Sequence, residues 1–219
     1  MKNSKENSIN NFPSTAHTKG NFTILIPIFG IVLFVCLYIT ATLFYPGGSS
    51  ANRTTVGFDW LQNYWCDLLG RYAKNRELNS AQPIALTAMV LLCFTLSVFW
   101  FFIPKLFNNS PLNSIIRYTG IAAMMGTVFL FTDFHDIVIN VAGTLGTIAL
   151  TGVFIGLYRK QLYAFFSYGT FCLTMMMGNY FIYKTGFFIS LLPIIQKITF
   201  LFFLSWICML DMHLYKMTK

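Results

Sequence analysis

The chain is poor in charge and poorer still in acid–base and metal-ligating side chains: its 219 residues include 7 Asp plus Glu, 15 Lys plus Arg and 3 His. Soluble domains carry about a quarter of their residues charged, and the 10% found here cannot cover a surface that faces water on all sides. His17, His135 and His213 lie far apart along the chain. Placed in the polar leader, between the third and fourth apolar runs on the outer side, and at the inner end of the last run, they cannot meet to form the catalytic zinc site of an alkaline-ceramidase-type hydrolase, which usually takes three protein ligands around a water. No metal or other cofactor is expected. Cysteine offers no framework either. Cys36, Cys93, Cys172 and Cys208 fall in apolar runs, leaving Cys66 outside them, so no disulfide can close within a loop. No basic run with interleaved polar surface exists, and the net charge of +8 is therefore not the footprint of a nucleic-acid binder.

What the chain has instead is apolar length: 56% of it is hydrophobic, with 24 Phe and 11 Tyr. A bilayer core about 30 Å thick takes roughly 20 residues of apolar helix, and windows of that kind fall at about 22–45, 83–104, 115–131, 137–158, 162–183 and 191–215. The expected fold is an all-α polytopic membrane protein, a six-transmembrane-helix bundle over residues 22–216. Residues 1–21, rich in Asn, Ser and Lys, have no apolar period and are expected to form a disordered cytoplasmic leader. The first span is too long, and this leader too extended, for a cleavable signal peptide.

Basic residues orient the bundle. With an even number of spans both termini share a side, and that side holds Lys2, Lys5, Lys19, Lys105, Arg117, Arg159, Lys160, Lys216 and Lys219. Arg53, Arg71, Lys74, Arg76, Lys184 and Lys197 fall on the other. Both termini are accordingly expected in the cytoplasm. Asp211 and His213, close to Lys216, read as part of a solvated end.

Polar groups then gather on the outer side. In FLFTDFHDIVIN, residues 129–140, Asp133, His135 and Asp136 interrupt apolar sequence. Arg117 to Asp133 is about 24 Å of helix, which places the group FHD at the turn of a tight outer hairpin. At mid-membrane each acid would cost about 3 kcal/mol; at the interface it stays hydrated, and Asp136 is placed to cap the fourth helix. The first outer connection contains FDWLQNYWCDLLGRYAKN, in which Phe58, Leu61, Trp65, Leu68 and Tyr72 recur at helical spacing while Asp59, Asn63, Asp67 and Arg71 repeat on another side. An amphipathic interfacial helix is expected, its polar stripe either facing water or folding inward over the hairpin. Asn140, Asn179, Gln196 and Lys197 complete the outer set, and Lys197 either snorkels or pairs with an acid. A set of Asp67, Asp133, Asp136 and His135, or of Cys66, His135 and an Asp, supplies the enzymatic alternative.

N63-Y-W-C66-D67-L-L-G70 resembles the signature in the first extracytoplasmic loop of the bacterial six-pass proteins of domain-of-unknown-function family 998, which look distantly like the eukaryotic Frag, DRAM and Sfk membrane proteins. The small and apolar start of the second span after N79-S-A-Q-P-I-A is similar too, as are His135 between spans three and four and P193-I-I-Q196-K197 opening the last span. The resemblance runs over most of residues 22–216, with Cys66 where the family has Ser. It implies a bacterial cell-membrane protein and marks Asn63, Asp67, His135, Gln196 and Lys197. It supplies no activity.

Gly120, Ala122, Ala123 and Gly126 in the third span and Gly143, Gly146, Gly152 and Gly156 in the fourth predict close helix approach. A tight pair of these two helices is the simplest use, with a homodimer through G152-V-F-I-G156 as a second. There is no internal repeat and no helix broken at mid-membrane depth of the kind transporters use. The expected function is noncatalytic, with an outer polar pocket of Asp59, Asn63, Asp67, Asp133, His135, Asp136, Asn140, Asn179, Gln196 and Lys197 that binds membrane lipid or a membrane protein partner. The alternative is a membrane-embedded hydrolase or small transporter using the same cluster.

Overall fold

The computed structural model describes residues 22–107, 110–131 and 135–218. Its architecture is all-α: α1 (Ile26–Leu43), α2 (Gln82–Phe102), α3 (Ser110–Thr127), α4 (His135–Arg159), α5 (Tyr163–Thr185) and α6 (Leu192–Met217). Local chemistry explains several ends. α1, α2 and α6 each carry proline in the first turn, where its missing N–H is not needed. α5 stops at Gly186, whose φ of 73° closes the helix in the left-handed conformation. Consecutive helices pack side by side, and α6 returns against α1 to close the ring.

Six helices form, but the expectation of six membrane spans is not met. Among the described residues 4 helical segments are long and apolar enough to cross: Phe22–Leu43, Gln82–Leu106, Asn140–Arg159 and Ile189–Met217. The protein is thus an all-α polytopic membrane protein with four such helices among the described residues, α3 and α5 falling short. Composition gives the reason. α3 carries Asn113, Ser114, Arg117 and Thr119 within 18 residues, and α5 carries Ser167, Thr170, Thr174, Asn179 and Lys184. Aromatic residues make α5 look greasy, yet its tyrosine and hydroxyl side chains lower its mean hydropathy.

The amphipathic interfacial helix is a second correction. The α1–α2 loop contains one short 3-10 turn, Trp65–Leu69, and two isolated β-bridges, Gly47 with Val56 and Tyr72 with Leu78. Short polar side chains have captured the backbone that a helix would need, as detailed below.

The close approach of α3 and α4 does form. A Cβ on Gly152 would sit 2.6 Å from Ile116, and one on Gly156 2.6 Å from the Phe107 ring. Both glycines therefore face neighbours in their own chain. His135 and Asp136 belong to α4 and not to a turn. Asp133 lies outside the described residues, as do the side chains of His135 and Asp136.

At the far end of α6, Asp211 is not solvated. It is fully buried and neither carboxylate oxygen has a hydrogen-bond partner. Helical register is the cause: Ile207 and Leu214, four residues before and three after, are buried on the same stripe.

The loop cap and the cleft beneath it

The α1–α2 loop is a folded cap built on side-chain to backbone bonds. The Asp59 carboxylate accepts from the amides of Leu61 (2.8 Å) and Gln62 (3.2 Å), and Asn63 Oδ1 accepts from the Asp59 amide at 2.9 Å. Such local acceptors compete with the helical ladder, which is why apolar residues at helical spacing do not produce a helix here. Asn63, with no exposed surface, donates through Nδ2 to Gly48 O (2.8 Å) and to Asp67 Oδ2 (3.0 Å). Gly48 has φ 80°, a conformation that glycine adopts at little cost. Asp67 Oδ2 also receives the Tyr64 amide at 2.9 Å, and Lys74 Nζ stands 3.4 Å from Oδ1. Asn79 closes the cap onto α2. Its Nδ2 donates to Leu68 O (3.0 Å) and Gly70 O (2.8 Å), and its Oδ1 accepts from Ala81 N at 3.1 Å.

Lys197, in the second turn of α6, pins the cap from below. It is 7% exposed. Its ammonium donates to the carbonyls of Trp60 (3.0 Å), Pro193 (3.1 Å) and Asn63. An ammonium has three protons, and all three are used. Neither reading of Lys197 from sequence describes this: it neither reaches for water nor bonds a carboxylate, although Asp67 and Asp59 contribute favourable charge nearby. The carboxylate of Asp67 takes Lys74 instead.

Between cap and bundle lies a cleft of about 180 Å³. Phe34 and Tyr38 from α1, Met89 from α2, Trp65, Cys66 and Leu69 from the cap, and Gln196, Lys197 and Phe200 from α6 line it. The walls are largely aromatic. Trp65 meets Phe34, Tyr38 and Phe200 edge-on, with centroids 6.5, 5.4 and 5.5 Å apart, the geometry preferred by ring quadrupoles. Burial, and next the Asp67 charge, push the Cys66 thiol above its ordinary value. Burial likewise raises the Tyr45 hydroxyl, against the pull of the Lys74 amide that donates to it at 3.0 Å.

The structure thus gathers Asp59, Asn63, Asp67, Gln196 and Lys197 around one cap. Asn179 stands on α5, donates to Thr199 Oγ1 at 2.8 Å, and shares a second hollow, of about 340 Å³, with Gln196. Asn140 does not join them. It is exposed on α4 and lines a separate hollow with Gly143, Thr144, Thr147 and Ile148. Asn79, Lys74, Tyr45 and the aromatic wall were missed in the sequence. Asn79 alone had a signal there, as a turn residue shortly before Pro83 at a helix start.

Compared with known proteins, the chain matches no family model, no curated protein and no solved structure.

Proposed function

We propose that this polytopic membrane protein is noncatalytic and holds one membrane lipid in the cleft beneath the α1–α2 cap. The observation that carries the reading is the cleft itself: a half-open aromatic cleft of about 180 Å³ beneath a cap that buried Lys197 ties to α6. Apolar cavities with a few placed polar groups are the usual form of small-molecule sites. In a bilayer the molecule at hand is lipid.

Two features support binding over catalysis. Lys197 and Asp67, the charged groups nearest the cleft, are engaged in holding the cap, so neither is free to transfer a proton. Burial raises the Cys66 thiol, which works against a thiolate nucleophile. The site belongs in a bacterial cytoplasmic membrane, as the family resemblance implies. Both termini lie in the cytoplasm and the cap outside it, on the strength of Lys2, Lys5, Lys19, Lys216 and Lys219 in the segments flanking the first and last spans.

Native mass spectrometry of protein released from nanodiscs tests the binding. One lipid is expected to remain per chain. Met89→Trp, which fills the cleft, should reduce its retention about tenfold, a change of about 1.4 kcal/mol, whereas Val90→Trp on the exposed face should not. Equal retention in both variants would contradict the proposal.

A further inference from the structure

The end of the bundle away from the cap carries cations and almost no acid. α2 begins beside the cap, where Gln82 donates to Leu69 O, and ends at Phe102. Lys105 in the turn that follows, Arg117 of α3, Arg159 at the end of α4 and Lys216 at the end of α6 therefore fall at the opposite end. Among the described residues the acid at that end is Asp211, which is fully buried. No ion pair joins any of these cations to another described residue. Basic residues at one end are the general mark of orientation, so their number alone makes no site.

Two of them are held in place. Arg117 Nε donates to Phe101 O at 3.2 Å, and its Cζ stands 4.9 Å from the centre of the Phe101 ring. Lys105 Nζ stands 4.6 Å from the centre of the Phe102 ring. The two rings meet edge-on with centroids 5.1 Å apart, so the cations sit on neighbouring faces. An aromatic face attracts a cation and fixes its position. It does so without using its protons: the Nη groups of Arg117 and the ammonium of Lys105 donate to no acceptor among the described residues.

The guanidinium fork and a nearby ammonium match a phosphate group. A zwitterionic head would bring its own ammonium, which the sealed carboxylate of Asp211 cannot meet. Position favours a lipid over a soluble anion. Arg117 is half-buried about 10 Å along α3 from Ser110, and Phe101, Ile115 and Tyr118 around it are exposed on the side of the bundle.

We infer that Lys105 and Arg117 bind the phosphate of an anionic phospholipid at the end of the bundle opposite the cap, with Phe101 against its acyl chain. The site is separate from the cleft and stands without it.

The whole protein in detergent micelles is titrated separately with dimyristoyl phosphatidylglycerol and dimyristoyl phosphatidylcholine, and the added lipids are counted by native mass spectrometry. The anionic lipid is expected to bind about tenfold more tightly, as two basic residues at a membrane surface allow. Lys105→Gln and Arg117→Gln should each cut that preference about threefold and together abolish it, whereas Arg117→Lys, which keeps the charge, should retain most of it. Arg159→Gln and Lys216→Gln should leave it intact. So should Met89→Trp, which reads the two lipid sites apart. Inorganic phosphate should displace the lipid no more than chloride at equal ionic strength. Equal affinity for the two lipids, a preference lost as readily through Arg159 and Lys216 as through Lys105 and Arg117, or displacement by phosphate beyond the chloride control would overturn the inference.

Discussion

Lys197 carries more of the loop than any acid does. Hydrogen bonds from a charged donor contribute about 1.5–3 kcal/mol each, and this one ammonium serves carbonyls from the cap and from its own helix. Lys197→Met should therefore lower stability by about 3 kcal/mol, measured by thermal unfolding in nanodiscs, and expose the cap to trypsin at Arg71, Lys74 and Arg76. Lys184→Met should change stability by less than about 0.5 kcal/mol, since Lys184 is exposed and stands 5.8 Å from the Tyr180 ring. Cys66 gives a pH test. Thiolate is the reactive form, so a raised thiol labels with maleimide more slowly than free cysteine at about pH 8 and speeds up as pH rises. Asp67→Asn removes the neighbouring negative charge, lowers the thiol and should accelerate labelling at fixed pH. At this scale Asn63, Asp67, Gln196 and Lys197 were visible in the sequence as polar residues out of place. Their partners were not, because most are backbone carbonyls and amides, which every residue has.

Elements were legible where periodicity is long and hidden where side chains override it. α1, α2, α4 and α6 follow from apolar length alone. The cap does not, since Asp59 and Asn63 bond the backbone within four residues and turn the chain away from a helix. In α4 the small residues divide by face. Gly156→Ala would push a methyl into the Phe107 ring and should destabilise by about 1–3 kcal/mol, as overpacking does. A Cβ on Gly143 meets nothing within 4 Å among the described residues. Gly143→Ala should leave stability unchanged or raise it by up to about 1 kcal/mol, since alanine favours the helix. Thermal unfolding of the two variants side by side separates these outcomes. If both are neutral, Phe107 and α4 do not approach as closely as described.

For the whole molecule, the ring of helices and the place of the cap follow from order and packing, whereas span count does not follow from helix count. α3 and α5 are helices of the bundle whose polar residues leave them short of the other four. An even number of crossings keeps both termini on one side, and accessibility can read which. In a Cys66→Ser background, a cysteine at Lys74 should react with a membrane-impermeant reagent applied from outside and one at Lys216 should not. The reverse pattern would invert the proposed orientation.

The central claim, that the space under the cap is where lipid binds, is tested most directly by a lipid bearing a photoactivatable group on its acyl chain. After irradiation in nanodiscs, adducts are mapped by peptide mass spectrometry. Adducts concentrated on Met89 and Phe200, suppressed by excess unlabelled lipid and diminished in Lys197→Met, are the predicted result. Adducts spread over bilayer-facing positions such as Phe29 and Phe94, which are 70% and 64% exposed, and unaffected by competitor or by loss of Lys197, would contradict it.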